Sequence, residues 1–228
     1  MSKNLLYKKL SARGFNPEHV AEVGVFHPLT SNIYPWIMQD IRCSLVEPDP
    51  KSIRQIKEHF SRQTNITLYE VALFDREGTI ELVQREASTF VSELSSSPAI
   101  VNDGYIIQEQ DKFTVECKTF DQIDDGTIDL LSLDMEGAEW FAIKHIASRP
   151  RVIAIETHGA TYVNPYLAQI IEWMRNNNYH IWFKTGTDSV FVKEGVFDVS
   201  FGDKISLAWK NLCLFCHCLR KRAKRLFR

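Results

Sequence analysis

The chain has 228 residues, 44% hydrophobic and 25% charged, the balance of one globular domain with a full core. This excludes a disordered chain, a collagen-like repeat and a minimal disulfide scaffold, and no apolar run reaches the roughly 18–20 residues of a membrane span. The formal charge of −2 divides unevenly: 8 of the 27 basic residues lie at or after Lys204 and no acid follows Asp203, so residues 1–203 carry −10 and residues 204–228 carry +8. An acidic body argues against nucleic acid as a partner, while the basic tail points to an anionic surface. The polar N-terminus shows no signal-peptide core, so the expected location is the cytoplasm, at the inner face of a membrane where the tail binds lipid. Five cysteines, an odd number with no secretory signal, argue against a disulfide framework.

Apolar runs alternate with helical patterns from residue 19 to residue 193. Three segments are expected: an N-terminal helix (1–18), a domain (19–195) and a basic amphipathic tail (196–228). Within the domain a strand at 19–23 is followed by a helix over 31–39 and a strand at 43–46. Asp49 reads as an N-cap with Pro50 at the first position of a helix running to about Phe60. Further strands are predicted at 66–71 and 79–83. Residues 84–112 show no clear period and read as a long loop, of which Ser88 to Asp111 is expected to cover the acceptor side of a site. A strand at 113–117, a buried strand at 128–133, a helix over 138–146 and a strand at 152–155 follow. A helix from Pro165 ends at Asn176-Asn177-Asn178, and strands at 181–183 and 189–192 close the domain as a hairpin. Such alternation means a doubly wound, mostly parallel α/β sheet, with ligands beyond the carboxyl ends of its strands.

Those strand ends carry the chemistry. Gly24 just past the first strand lets a cofactor approach the backbone, but the fingerprint G-x-G-x-x-G is absent, with Phe26 and Leu29 at its later glycine positions. Glu47 stands 23 residues on, where a carboxylate accepts both hydroxyls of a ribose. Ala72 and Leu73 suit an adenine ring or plain core. Asp134, Glu136 and Glu139 put three carboxylates in six residues after a buried run, where they must be solvated, paired or metal-bound. Glu156 and His158 share one face by the two-residue period, and a histidine beside acids at this edge suits a general base.

At these residues the chain resembles the FkbM-type S-adenosylmethionine-dependent methyltransferases, which have the class I methyltransferase fold. The resemblance runs from about Val20 to Lys193. It is carried by Glu22-Val23-Gly24, Leu45-Val46-Glu47-Pro48, Val71-Ala72-Leu73, Leu133-Asp134-Met135-Glu136-Gly137-Ala138-Glu139 and Ile155-Glu156-Thr157-His158. It implies a Rossmann-like, seven-stranded sheet and S-adenosyl-L-methionine as cofactor. Glu22, Gly24 and Phe26 would meet the cofactor's amino-acid end, Glu47 its ribose, and Ala72 and Leu73 its adenine. Asp134 and Glu136 would face the methyl donor and acceptor. The usual first motif, D-x-G-x-N-x-G, is altered: Glu22, Phe26 and Pro28 replace its Asp, Asn and last Gly, and Ser132 stands where a lysine is often found.

The resulting expectation is an O-methyltransferase acting on a hydroxyl of a saccharide or glycoconjugate. His158 or Asp134 would be the base, with Glu136 and Glu156 orienting the acceptor. A divalent metal among these acids would lower the hydroxyl's pKa, although no ligand set is assigned. A nicotinamide oxidoreductase is disfavoured by the missing glycine fingerprint. A catalytically degenerate methyltransferase-fold binding or scaffold subunit at a membrane surface is the alternative that the altered loop Phe26-His27-Pro28 raises.

The tail sets Leu212, Phe215, Cys216, Leu219, Ala223 and Leu226 on one helical face and Lys210, His217, Lys221, Lys224 and Arg228 on the other. This pattern fits an interfacial helix on anionic lipid through residues 205–228. The alternative is a helix docked on the domain, with Leu212, Phe215 and Leu219 buried. Cys213, Cys216, His217 and Cys218 crowd into six residues, too close to close a tetrahedral zinc site.

Overall fold

The computed structural model describes residues 5–86, 88–159 and 161–226, with side chains through residue 216. The elements begin with α1 (Leu5–Ser11), β1 (His19–Val23), α2 (Tyr34–Ile37), β2 (Arg42–Val46), α3 (Pro50–His59) and β3 (Ile66–Tyr69). Next come β4 (Ala72–Leu73), β5 (Gly78–Gln84), β6 (Thr89–Val91), α4 (Pro98–Asp103) and β7 (Lys112–Lys118). The chain continues with β8 (Leu130–Leu133), α5 (Glu139–Ile143), β9 (Val152–Glu156), α6 (Leu167–Asn176), β10 (Tyr179–Lys184), β11 (Asp188–Lys193) and α7 (Phe201–Leu226).

Seven strands form one sheet in the order β10-β11-β9-β8-β1-β2-β3. Every pairing from β3 through β9 is parallel, and β11 alone runs against its neighbours. This is the expected doubly wound, mostly parallel sheet of class I methyltransferase type, closed by an antiparallel hairpin. The order reverses between β1 and β8, so the crevice for a ligand opens above their carboxyl ends.

Side-chain alternation produces the two faces. Val20, Leu130 and Val152 stand in register on one face and pack with Leu10, Trp36 and Trp182. Their successors Ala21, Leu131 and Ile153 point the other way, toward Ile143, Ile170 and Met174. Strands covered on both sides read as near-continuous apolar runs, which is why they were legible.

Two local expectations change. The helix expected over 31–39 is shortened to the one-turn α2, preceded by a 3-10 turn (Pro28–Thr30), because Ser31 Oγ and Asn32 N both donate to Glu22 and hold the chain out of helical geometry. Residues 84–112 are not one irregular loop. They contribute β6 and α4, and β6 joins a second sheet of order β4-β7-β5-β6. Ala72 and Leu73 belong to that sheet, pairing with Cys117 and Lys118, so the third strand of the main sheet ends earlier, at Tyr69. Among the described residues the N-terminal helix is α1, whose Leu6 and Leu10 are buried in the core; residues 1–4 lie outside the described residues.

Candidate active site

The parallel ladder continues past the strand ends: Gly24 N donates to Val46 O, Glu47 N to Tyr69 O and Asp134 N to Val23 O, each at 3.0 Å. Gly24 has φ +82°, and a Cβ there would lie 1.8 Å from Asp134 O. Only glycine lets the loop after β1 pass this close to β8. Phe26 then turns back at φ +52°, and its N–H donates to Glu47 Oε2 at 2.7 Å. Pro28 opens the 3-10 turn at its first position, where an N–H has no partner within the turn, so the altered motif still closes an ordered loop.

Around these ends lies a cavity of about 460 Å³. Its walls include Glu22, Gly24, Phe26, Glu47, Ala72, Leu73, Asp134 and Glu136, which the sequence assigned, together with Asn32, Ser88–Val91 and Thr185–Asp188. Val71, Ala72, Leu73, Phe90 and Val91 form an apolar side. Five lining residues are acidic, Glu22, Glu47, Asp134, Glu136 and Asp188, and none of the described lining residues is Lys, Arg or His.

Burial dominates the electrostatics of these acids. It pushes the carboxyls of Glu22, Glu47 and Glu136 up to about 7 and that of Asp134 well above the usual carboxylate range, with Glu136 and Asp188 adding to the shift at Asp134. Glu22 accepts from Ser31 and Asn32, and Glu47 accepts from Phe26 N and, at 3.0 Å, Asp49 N. Glu136 sits at φ +52°, a conformation a non-glycine residue adopts at a cost, and its Oε2 is buried without a partner.

A second carboxyl group layer stands behind the wall. One oxygen each of Asp134, Glu139 and Glu156 lies within 4.8 Å of the others. Glu139 Oε1 accepts from Met135 N (2.8 Å) and Gly137 N (3.2 Å), and its Oε2 from Asn164 Nδ2 (2.5 Å), so it pins the loop between β8 and α5. Burial, with Asp134 and Glu139 nearby, drives Glu156 up to about 11. Glu139 is thus committed to backbone and Asn164, and burial together with the mutual repulsion of the three carboxyls favours their protonated forms.

The expected convergence of four catalytic groups in one pocket is not what the structure places there. Glu156 and His158 are absent from the cavity wall. Both border the turn Thr185–Asp188, Glu156 through its pairing with Asp188 and His158 through its N–H donated to Thr187 O. The strand ends at Glu156, and the chain folds back through a bridge between His158 and Val163, so the two-residue period no longer applies. Burial, with Lys184 and Lys210 adding, lowers His158 to about 4, and its Nδ1 sits 2.9 Å from Thr157 Oγ1.

Asp188 and the turn before it were missed as site residues. The signal was available: β10 runs parallel to β9, so the hairpin turn returns to the carboxyl edge. Ser88–Val91 line the cavity, as expected of the segment Ser88 to Asp111, but as the strand β6 of the second sheet rather than as an irregular loop.

The family model described as the methyltransferase FkbM domain matches residues 19–181. No curated protein matches the chain. Among solved structures, the chain is similar to the methyltransferase domain of bacterial CtHen1, at TM-score 0.48 and 8% identity, covering 84% of this chain and 98% of that one. It is also similar to ribosomal protein L11 methylase from Lactobacillus delbrueckii subsp. bulgaricus (0.42, 11%, 83% and 77%). The SAH-bound Podospora anserina methyltransferase PaMTH1 is a third (0.44, 13%, 82% and 76%). By the family match over most of its length, the chain belongs to the FkbM methyltransferase domain family.

Proposed function

We propose that this methyltransferase uses S-adenosylmethionine to methylate a hydroxyl on a saccharide or glycoconjugate. The observation that carries the cofactor is the charge of the cavity: five carboxyls and, among its described lining residues, no basic side chain. A pyrophosphate would face five carboxyls with only Arg85, behind the wall, acting on one of them, Glu136, whereas a ligand bearing a sulfonium and an ammonium group favours their ionised forms. When bound, the cofactor supplies an activated methyl group on cationic sulfur. Glu47 accepts from Phe26 N and Asp49 N, with the Val25 backbone also directed at it, and its remaining acceptor capacity faces the cavity, where a ribose hydroxyl can donate to it. Val71, Ala72, Leu73, Phe90 and Val91 offer the flat apolar contact an adenine needs. Thr30, Asn32, Ser88, Thr89, Thr185 and Thr187 supply hydroxyls and an amide suited to a polyhydroxylated acceptor.

The proton of the acceptor goes to Glu136 in this reading. Its carboxyl lies in the wall, has an unpartnered oxygen, and titrates near 7, where a base both accepts a proton and is ionised. Asp134, also raised by burial, orients ligand groups. His158 stands outside the wall and is not assigned the proton. A thermal-shift titration tests the cofactor: S-adenosylmethionine and its demethylated product should raise the melting temperature while NAD does not. Stabilisation by NAD alone would reverse the assignment.

A further inference from the structure

The longest helix keeps its apolar side in solvent. The half-buried positions of α7 are Asp203, Leu207, Lys210 and Leu214, spaced by four, three and four residues, and this side packs beside β10. Asp203 is held there by Arg13, whose Nη2 lies 2.5 Å away. On the opposite side Phe201, Ile205, Trp209, Leu212 and Phe215 are 78%, 54%, 67%, 51% and 61% exposed. Their spacing of four, four, three and three residues makes one stripe along the helix. A helix docked by this face would bury Leu212 and Phe215, and it does not. Leu219, Ala223 and Leu226, which continue the stripe in the sequence, lie outside the described side chains, as do the basic residues from 217 onward.

Large apolar side chains in a continuous exposed row mark a binding surface. The charge beside them identifies the occupant. Eight basic residues and no acid fall within 204–228, attached to a body of opposite sign. We infer that α7 is an interfacial helix that seats the protein on an anionic lipid surface, with the stripe in the headgroup–acyl boundary and the basic residues toward the headgroups. No described helix is long and apolar enough to cross a membrane, so α7 lies in the plane of the surface.

The position of the helix adds a consequence. α7 packs beside β10, and β10 leads into the turn Thr185–Asp188 of the cavity wall, where Thr187 O accepts from His158 N. The seat is therefore next to the carboxyl edge of the sheet, and docking would bring the cavity to acceptors carried by the membrane. The docking stands on α7 alone; the delivery of an acceptor rests on the transferase reading above.

Co-sedimentation of the full chain with vesicles separates the two, because it needs no activity. Vesicles of phosphatidylcholine with phosphatidylserine should bind the protein at least about tenfold more tightly than phosphatidylcholine alone, and the preference should fade as salt rises. Trp209→Glu with Phe215→Glu, both at exposed positions, should lose about tenfold or more without lowering the melting temperature. Lys221→Glu with Arg222→Glu should lose a similar factor on anionic vesicles only. Equal binding to both vesicle types, or full binding by both double variants, would overturn the inference. So would a lipid-free dimer that Trp209→Glu dissociates, since a second copy would then cover the stripe.

Discussion

Glu47 concentrates two duties in one side chain. It ties the loop after β1 to the start of α3 through Phe26 N and Asp49 N, and it lines the cavity. Glu47→Gln keeps the size but places an amide against two N–H donors. S-adenosylmethionine affinity measured by calorimetry should fall by about 1–3 kcal/mol, the scale of a charged hydrogen bond lost, and unchanged affinity would remove Glu47 from the site. The division of labour among the acids is testable in the same way. Glu136→Gln should lower turnover by about 10²–10⁴ with cofactor affinity retained, whereas His158→Ala should lose less than about tenfold. The reverse ranking, read from single-turnover rates, would return the proton to His158.

The loop between β8 and α5 holds the site together. Glu139 at the start of α5 is fully buried and satisfies Met135 N, Gly137 N and Asn164 at once. Removing it strands three donors, so Glu139→Ala should cost at least about 2 kcal/mol in urea unfolding, and a smaller loss would mean that water replaces the carboxylate. The sequence made this loop conspicuous through its three carboxylates but could not sort their roles. That sorting depends on which oxygens meet backbone N–H groups, and hence on how the loop turns at Glu136 and Gly137, both with positive φ. The central strands β8 and β9 were legible because they are buried and apolar on both faces, and α3 because Asp49 caps it through Lys51 N. Of the second sheet, the strands at 79–83 and 113–117 were legible as β5 and β7, but β6 and the sheet itself were not. The sheet depends on pairings across long separations, Ala72 with Cys117 and Leu82 with Phe113, and local periodicity carries no record of such partners. The stretch 84–112 looked patternless for that reason.

Across the whole molecule, buried acid sets the response to pH. Glu22, Glu47, Glu136 and Glu139 are each raised from an ordinary value of 4.5 to about 7. A raised folded pKa gives stability that is full below about pH 4.5 and is lost as the pH climbs through 7. His19 and His158 are lowered and act in the opposite sense, but only below 6.5, so the window from 6.5 upward belongs to the carboxyls. The melting temperature of the ligand-free protein should therefore fall as the pH rises from about 6.5 to about 8. A flat or rising profile would mean that the wall carries its charge without cost.

That wall, acidic and without a basic residue among its described members, is also what assigns the cofactor, and one titration examines the link. Isothermal calorimetry with S-adenosylmethionine, run in buffers of different ionisation heats at about pH 6 and about pH 8, reads affinity and proton exchange together. A cationic ligand stabilises the ionised carboxyls, so binding should release protons, and it should tighten toward the higher pH more for S-adenosylmethionine than for its demethylated product. Proton uptake, or a demethylated product that gains as much as the sulfonium, would contradict the account.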